Sequence, residues 1–234
     1  MPEQSPNWRE ALSSVALWLM VYVGASFASL FVLVATGQSA ADAVPMWALA
    51  MNVGAMWAVY LLVMPRLMPF QEGRLRDSFG SWFTRRDLVV GVPLGVGSQL
   101  ILMNLVNWPL SKLFPDQFSP EQISQRAEEI ADTAPGWWAL VLVAVVVVGA
   151  PIVEEIVYRG CLQTRLSAIL GTATGVAVTS AIFALVHLTP VEIPGLFVFA
   201  VVLGVARHRT GSLGLPIITH MAFNAVGLSL VMFI

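Results

Sequence analysis

WWALVLVAVVVVGAPIVEEIVYRG, residues 137–160, is an apolar run that stops on two carboxylates and an arginine. A helix needs roughly 17–25 apolar residues to cross a bilayer, and Trp137–Val153 meets the lower limit before Glu154 and Glu155 interrupt it. Six further runs lie around it: Val15–Ala35, Met46–Met64, Leu88–Val106, Thr172–Leu188, Ile193–Ala206 and Leu213–Ile234. All seven are expected to be helical, because lipid offers an open backbone no hydrogen-bond partner. The sixth is the shortest, so a re-entrant course is open for it. The expected fold is all-α, a polytopic integral membrane bundle of about seven transmembrane helices, with residues 1–234 as a single membrane domain.

Composition agrees. The 234 residues are 57% hydrophobic and 11% charged, with a mean hydropathy of +0.78. Soluble domains run at about 45–50% apolar and 25% charged. This excludes a disordered chain, a secreted disulfide scaffold and a nucleic-acid binder. One cysteine, Cys161, excludes an intrachain disulfide. The segment before the first run is not basic, so that run reads as a retained span rather than a signal peptide.

Basic residues set an expected orientation. Arg66, Arg74, Arg76, Arg85 and Arg86 lie between runs two and three, Arg159 and Arg165 follow run four, and Arg207 and Arg209 follow run six. With seven spans these fall on one side, taken as the cytoplasm, with the N-terminus inside. Residues 110–135 are then an extramembrane loop, acidic and with a short amphipathic helix.

Polar residues within the apolar runs need a reason, since a mid-bilayer charge costs roughly 2.5–3.5 kcal/mol. The unusual ones are Glu154 and Glu155, which end the fourth run, Arg159 just after them, His187 near the end of the fifth, and His220 and Asn224 inside the seventh. Glu155 and Arg159 are four apart and share a helix face. Glu154 points about 100° away and is left free, with Tyr158 as a neighbour. His220 and Asn224, also four apart, can aim at one point. Gly171 is the expected turn between runs four and five. Glu154 lies 17 residues before it and His187 16 after it, which sets them level in a hairpin, roughly 25 Å along each arm. The apolar limits disagree, because Trp137–Val153 nearly spans the bilayer and pushes Glu154 to one face. Either one helix outruns the lipid or residues 160–170 lie along the membrane.

Taken singly, each residue has a plainer explanation: a solvated helix end for the glutamates, a carbonyl bond for His187, interhelical glue for Asn224. His208, between two arginines, reads as surface. Together they match three motifs. Glu154-Glu155-Ile-Val-Tyr-Arg159 fits E-E-x-x-x-R, Phe183-Ala-Leu-Val-His187 fits F-x-x-x-H, and His220-Met-Ala-Phe-Asn224 fits H-x-x-x-N. The sequence resembles the CPBP intramembrane proteases, also called the Abi or CAAX-protease family, over residues 137–226. The resemblance implies a catalytic core there, with Glu154 as general base on water, His187 assisting, His220 and Asn224 serving the oxyanion, and Arg159 holding Glu155. It implies a membrane-anchored protein or peptide substrate, cut at a C-terminal tail or leader, and the lipid bilayer as its setting. No cofactor is required; zinc on His187, His220 and a glutamate stays open, although no H-E-x-x-H is present. Size and arginine-rich composition suggest a bacterial inner membrane. A proton-coupled transporter would also place Glu and His in membrane helices, but no internal repeat is seen. A catalytically silent scaffold of the same family is the third reading.

Overall fold

The computed structural model describes residues 7–38, 44–68, 84–119, 122, 125, 128–129 and 131–233. Among them are seven apolar helices: α1 (Trp8–Ala35), α2 (Met46–Leu67), α3 (Arg85–Leu113), α4 (Trp138–Leu170), α5 (Thr172–Leu185), α6 (Ile193–Thr210) and α7 (Gly214–Phe233). Six are long and apolar enough to cross a membrane, and α5 is shorter. The protein is a multi-pass helical membrane bundle. The outer face of α1 carries Met20, Phe27 and Phe31, all exposed, as a lipid-facing surface requires. Arg74 and Arg76 lie outside the described residues; in the stretch 110–135, where a short amphipathic helix is expected, residues 122, 125, 128, 129, 131 and 132 are described and are helical. Helix α3 continues into that segment as far as Leu113.

Two expectations about length change. The sixth run becomes a helix of 18 residues, because Arg207, His208 and Arg209 form its last turn and an apolar count leaves them out. The short helix is α5, with 14 residues, or about 21 Å. It stops at Leu185, two residues short of His187, and Leu188 adopts φ +56°. The conflict over depth is resolved by α4. It runs unbroken for 33 residues, beyond what the hydrocarbon core demands, and residues 155–163 are all buried. The polar stretch Glu155–Gln163 is enclosed by protein, so its charges do not require solvent.

Small residues set the helix contacts. Gly91 and Gly95 lay α3 on α7; a Cβ on Gly95 would meet the Thr219 carbonyl and lie 2.7 Å from Ala222 Cβ. Gly204 of α6 faces Gln163 of α4, whose amide donates to the Gly204 carbonyl at 3.0 Å. Gly171, at φ +83°, makes the turn between α4 and α5, and Gly175 sits against the Ser167 backbone. Arg165 of α4 pairs with Glu10 of α1 at 2.8 Å. That contact places the C-terminal end of α4 beside the N-terminal end of α1. A Ser29–Asn52 hydrogen bond links α1 to α2.

Gly95→Ala is therefore expected to lose about 1–3 kcal/mol through overpacking. Gly97→Ala, two residues on with nothing within 4 Å of the new Cβ, should be neutral or gain up to about 1 kcal/mol. Thermal unfolding in detergent checks both.

Candidate active site

Helix α4 is not regular. Residues Ala144–Gly149 and Glu155–Gln163 are π-helical, a geometry found often at functional sites. Proline gives the first segment a consequence. In a π register the carbonyl of Val146 would accept from residue 151, but Pro151 has no N–H. Asn224 Nδ2 donates to that carbonyl instead, at 2.8 Å. One side chain of α7 thus satisfies a backbone group that α4 cannot.

The second segment carries the charges. Glu155 and Arg159 are fully buried and paired, Nη1 to Oε1 at 2.9 Å. Arg159 Nη2 also donates to the Ala200 carbonyl of α6 at 3.1 Å, and its guanidinium lies 4.6 Å from the centre of the Phe183 ring. His220 of α7 reaches the same Glu155 oxygen through Nδ1 at 2.9 Å. An ionised carboxylate only accepts, so Nδ1 carries the proton. The other ring nitrogen, Nε2, then faces Glu154 Oε2 at 3.8 Å. Glu155 in effect aims His220 at Glu154.

Glu154 is partly open and lines a cavity of about 200 Å³. His187 of the α5–α6 connection lines the same cavity, as level hairpin arms require. Its Nδ1 lies 2.7 Å from the Phe183 carbonyl. The expected partners Glu154, Glu155, Arg159, His187 and His220 are thus brought together. Asn224 is one turn further along α7; its amide addresses Val146 rather than the point addressed by His220. Tyr158 is a cavity neighbour of Glu154.

Phe183, fixed by the F-x-x-x-H motif, and several residues outside the motifs complete the site. Phe183 is a hub, edge-on to Tyr158 at 5.1 Å and to His220 at 5.9 Å, and 4.9 Å from His187. Phe199 packs edge-on to His220 at 5.4 Å. Tyr22 and Ser26 of α1, and Met56, Trp57 and Tyr60 of α2, form the facing wall of the cavity. The signal for these was the few hydroxyls inside apolar runs: all three tyrosines of the chain line this one cavity.

Zinc can be tested against the donors. Among the described residues no three His, Cys, Asp or Glu side chains form a group able to hold a metal ion. Glu155 occupies only Nδ1 of His220, and a carboxylate on that nitrogen is usual for a metal-ligating histidine.

Comparison with known proteins agrees with the motifs. Residues 136–226 match the family model of Rce1-like proteins, described as type II CAAX prenyl endopeptidase Rce1-like. That segment is similar to the CAAX protease family and contains all seven residues fixed by the three motifs. No curated protein and no solved structure matches the chain. Helices α1 to α3 lie outside the matched segment.

Two stability outcomes follow from the geometry. Arg159→Met leaves a buried carboxylate short of its cation and should cost about 3–5 kcal/mol. Adding Glu155→Leu should restore much of that loss, because the pair is then gone rather than broken. Asn224→Ala orphans the Val146 carbonyl and should cost about 1–3 kcal/mol, more than the average of about 0.6 for a membrane hydrogen bond. Thermal unfolding of the purified variants in detergent measures each.

Proposed function

We propose that the protein is an intramembrane endopeptidase that hydrolyses a peptide bond in a membrane-associated protein or peptide, using water activated by Glu154. The observation that carries this reading is the meeting of Glu154 and His187 on one cavity wall, with His220 Nε2 3.8 Å from Glu154 Oε2. The matched family agrees with it at the level of a CAAX-type protease.

Peptide hydrolysis needs a base for the water and donors for the oxyanion. Glu154 removes the proton of a water held between it and the His187 ring. The resulting hydroxide adds to the substrate carbonyl. His220, kept in register by Glu155 through Nδ1–H, donates from Nε2 to the developing oxyanion in its imidazolium form, the form in which both ring nitrogens carry protons, and the second N–H of Asn224 serves the same charge. The proton on Glu154 passes to the leaving amine. Arg159 holds Glu155 and touches no substrate. The step uses no metal.

The substrate is a C-terminal tail or leader already at the membrane, because the site lies within the bundle. The setting is a bacterial inner membrane with the N-terminus in the cytoplasm. This orientation draws support from the placement of Arg66, Arg85, Arg207 and Arg209 in the terminal turns that join the Arg165–Glu10 end of the bundle.

Glu154→Gln keeps the shape of the side chain and removes the base. It should abolish cleavage, measured as loss of new peptide C-termini in membrane extracts, while the unfolding temperature stays near wild type. Wild-type turnover by Glu154→Gln contradicts the proposal. Chelator treatment followed by elemental analysis should leave activity intact with zinc well below one per chain.

A further inference from the structure

The cavity has a polar rim that the catalytic motifs do not use. Tyr22, Tyr60 and Tyr158 come from three different helices and line it together with Glu154 and His187. Tyr60 is 6% exposed and Tyr158 4%. None of the three hydroxyls has a hydrogen-bond partner among the described residues. The hydroxyl oxygens are not among the enclosed polar atoms that lack a partner; they are open to the cavity, where a tyrosine O–H can take a partner from outside the chain.

The rings are held fast. Tyr22 stacks on Trp18 at 5.5 Å, Tyr158 lies 6.1 Å from the same Trp18, and Tyr158 meets Phe183 edge-on at 5.1 Å. The hydroxyls are therefore placed in advance and wait for a partner from outside the chain. The rest of the wall (Met56, Trp57, Val153, Val157, Val186) is apolar. The cavity has a volume of about 200 Å³. That is room for a short extended stretch of peptide.

A peptide bond cannot be cut inside a membrane while its segment stays helical and shielded. Unwinding frees backbone carbonyls, and in lipid each unsatisfied group costs several kcal/mol. Three fixed donors beside the attacking carboxylate meet that need. We propose that Tyr22, Tyr60 and Tyr158 form a cradle that binds the unwound substrate backbone through its carbonyl oxygens. The proposal rests on the peptidase reading for its ligand class. It assigns a binding role to α1 and α2, outside the family-matched segment. The tyrosines are positioning residues; they take no part in proton transfer.

The test is binding rather than turnover. Acetyl-Leu-Leu-Leu-amide is titrated into purified protein in detergent and followed by calorimetry, with dodecylbenzene as an apolar ligand that lacks carbonyls. Tyr60→Phe and Tyr158→Phe keep the rings and should each weaken the tripeptide about three- to tenfold. Dodecylbenzene binding and the unfolding temperature should not change. Failure of wild type to bind the tripeptide overturns the cradle, as does equal affinity in wild type and variants, or equal weakening of both ligands. If the tripeptide binds as expected but no preparation cleaves any peptide, the peptidase reading falls and the cradle stands. If cleavage depends on Glu154 while the tyrosine variants keep both KM and tripeptide affinity, the cradle alone falls.

Discussion

One carboxylate oxygen joins the halves of this site. Glu155 Oε1 accepts from Arg159 of its own helix and from His220 of α7, both at 2.9 Å. The three groups sit in the interior of an apolar bundle, where an unpaired charge is strongly destabilising. Their pairing settles several features at once. It fixes the angle between α4 and α7, and Arg159 extends the tie to α6 through the Ala200 carbonyl. It also fixes which ring nitrogen of His220 faces Glu154. The stacking of Phe183 under the guanidinium adds α5, so four helices depend on one buried ion pair.

Proline and glycine do the complementary work. Pro151 withholds an N–H and so frees Val146 for Asn224. Gly91, Gly95 and Gly204 let backbones approach where side-chain networks have to meet. The polar contacts are short because the small residues permit it, and membrane helices gain little from hydrophobic association alone. The motif residues accordingly divide by environment. Glu154 and His187 face the cavity, whereas Glu155 and Arg159 are wholly enclosed.

Much of this was readable from the chain. Apolar length gave the helices, and the i, i+4 spacing gave the Glu155–Arg159 pair. The equal distances from Gly171 gave the level of Glu154 and His187. What escaped was whatever depends on two helices distant in sequence. Nothing in H-x-x-x-N shows that Asn224 would be drawn to Val146, because that bond follows from a π register around Pro151. Apolar counting also misjudged α4. It treats charge as a sign of water, and here Glu155, Arg159 and Gln163 are buried in protein. The wall formed by α1 and α2 was hidden for a related reason: tyrosines in an apolar run resemble ordinary packing until their hydroxyls are seen to share a cavity.

The account depends on Glu154 directing water onto a peptide carbonyl. The direct measurement is mass spectrometry of peptide C-termini formed when purified protein acts on membrane extracts in H₂¹⁸O, with Glu154→Gln run in parallel. The account predicts new C-termini carrying one solvent oxygen with wild type and none with the variant. Identical sets of labelled C-termini from both proteins, or no new C-termini from wild type, would contradict it.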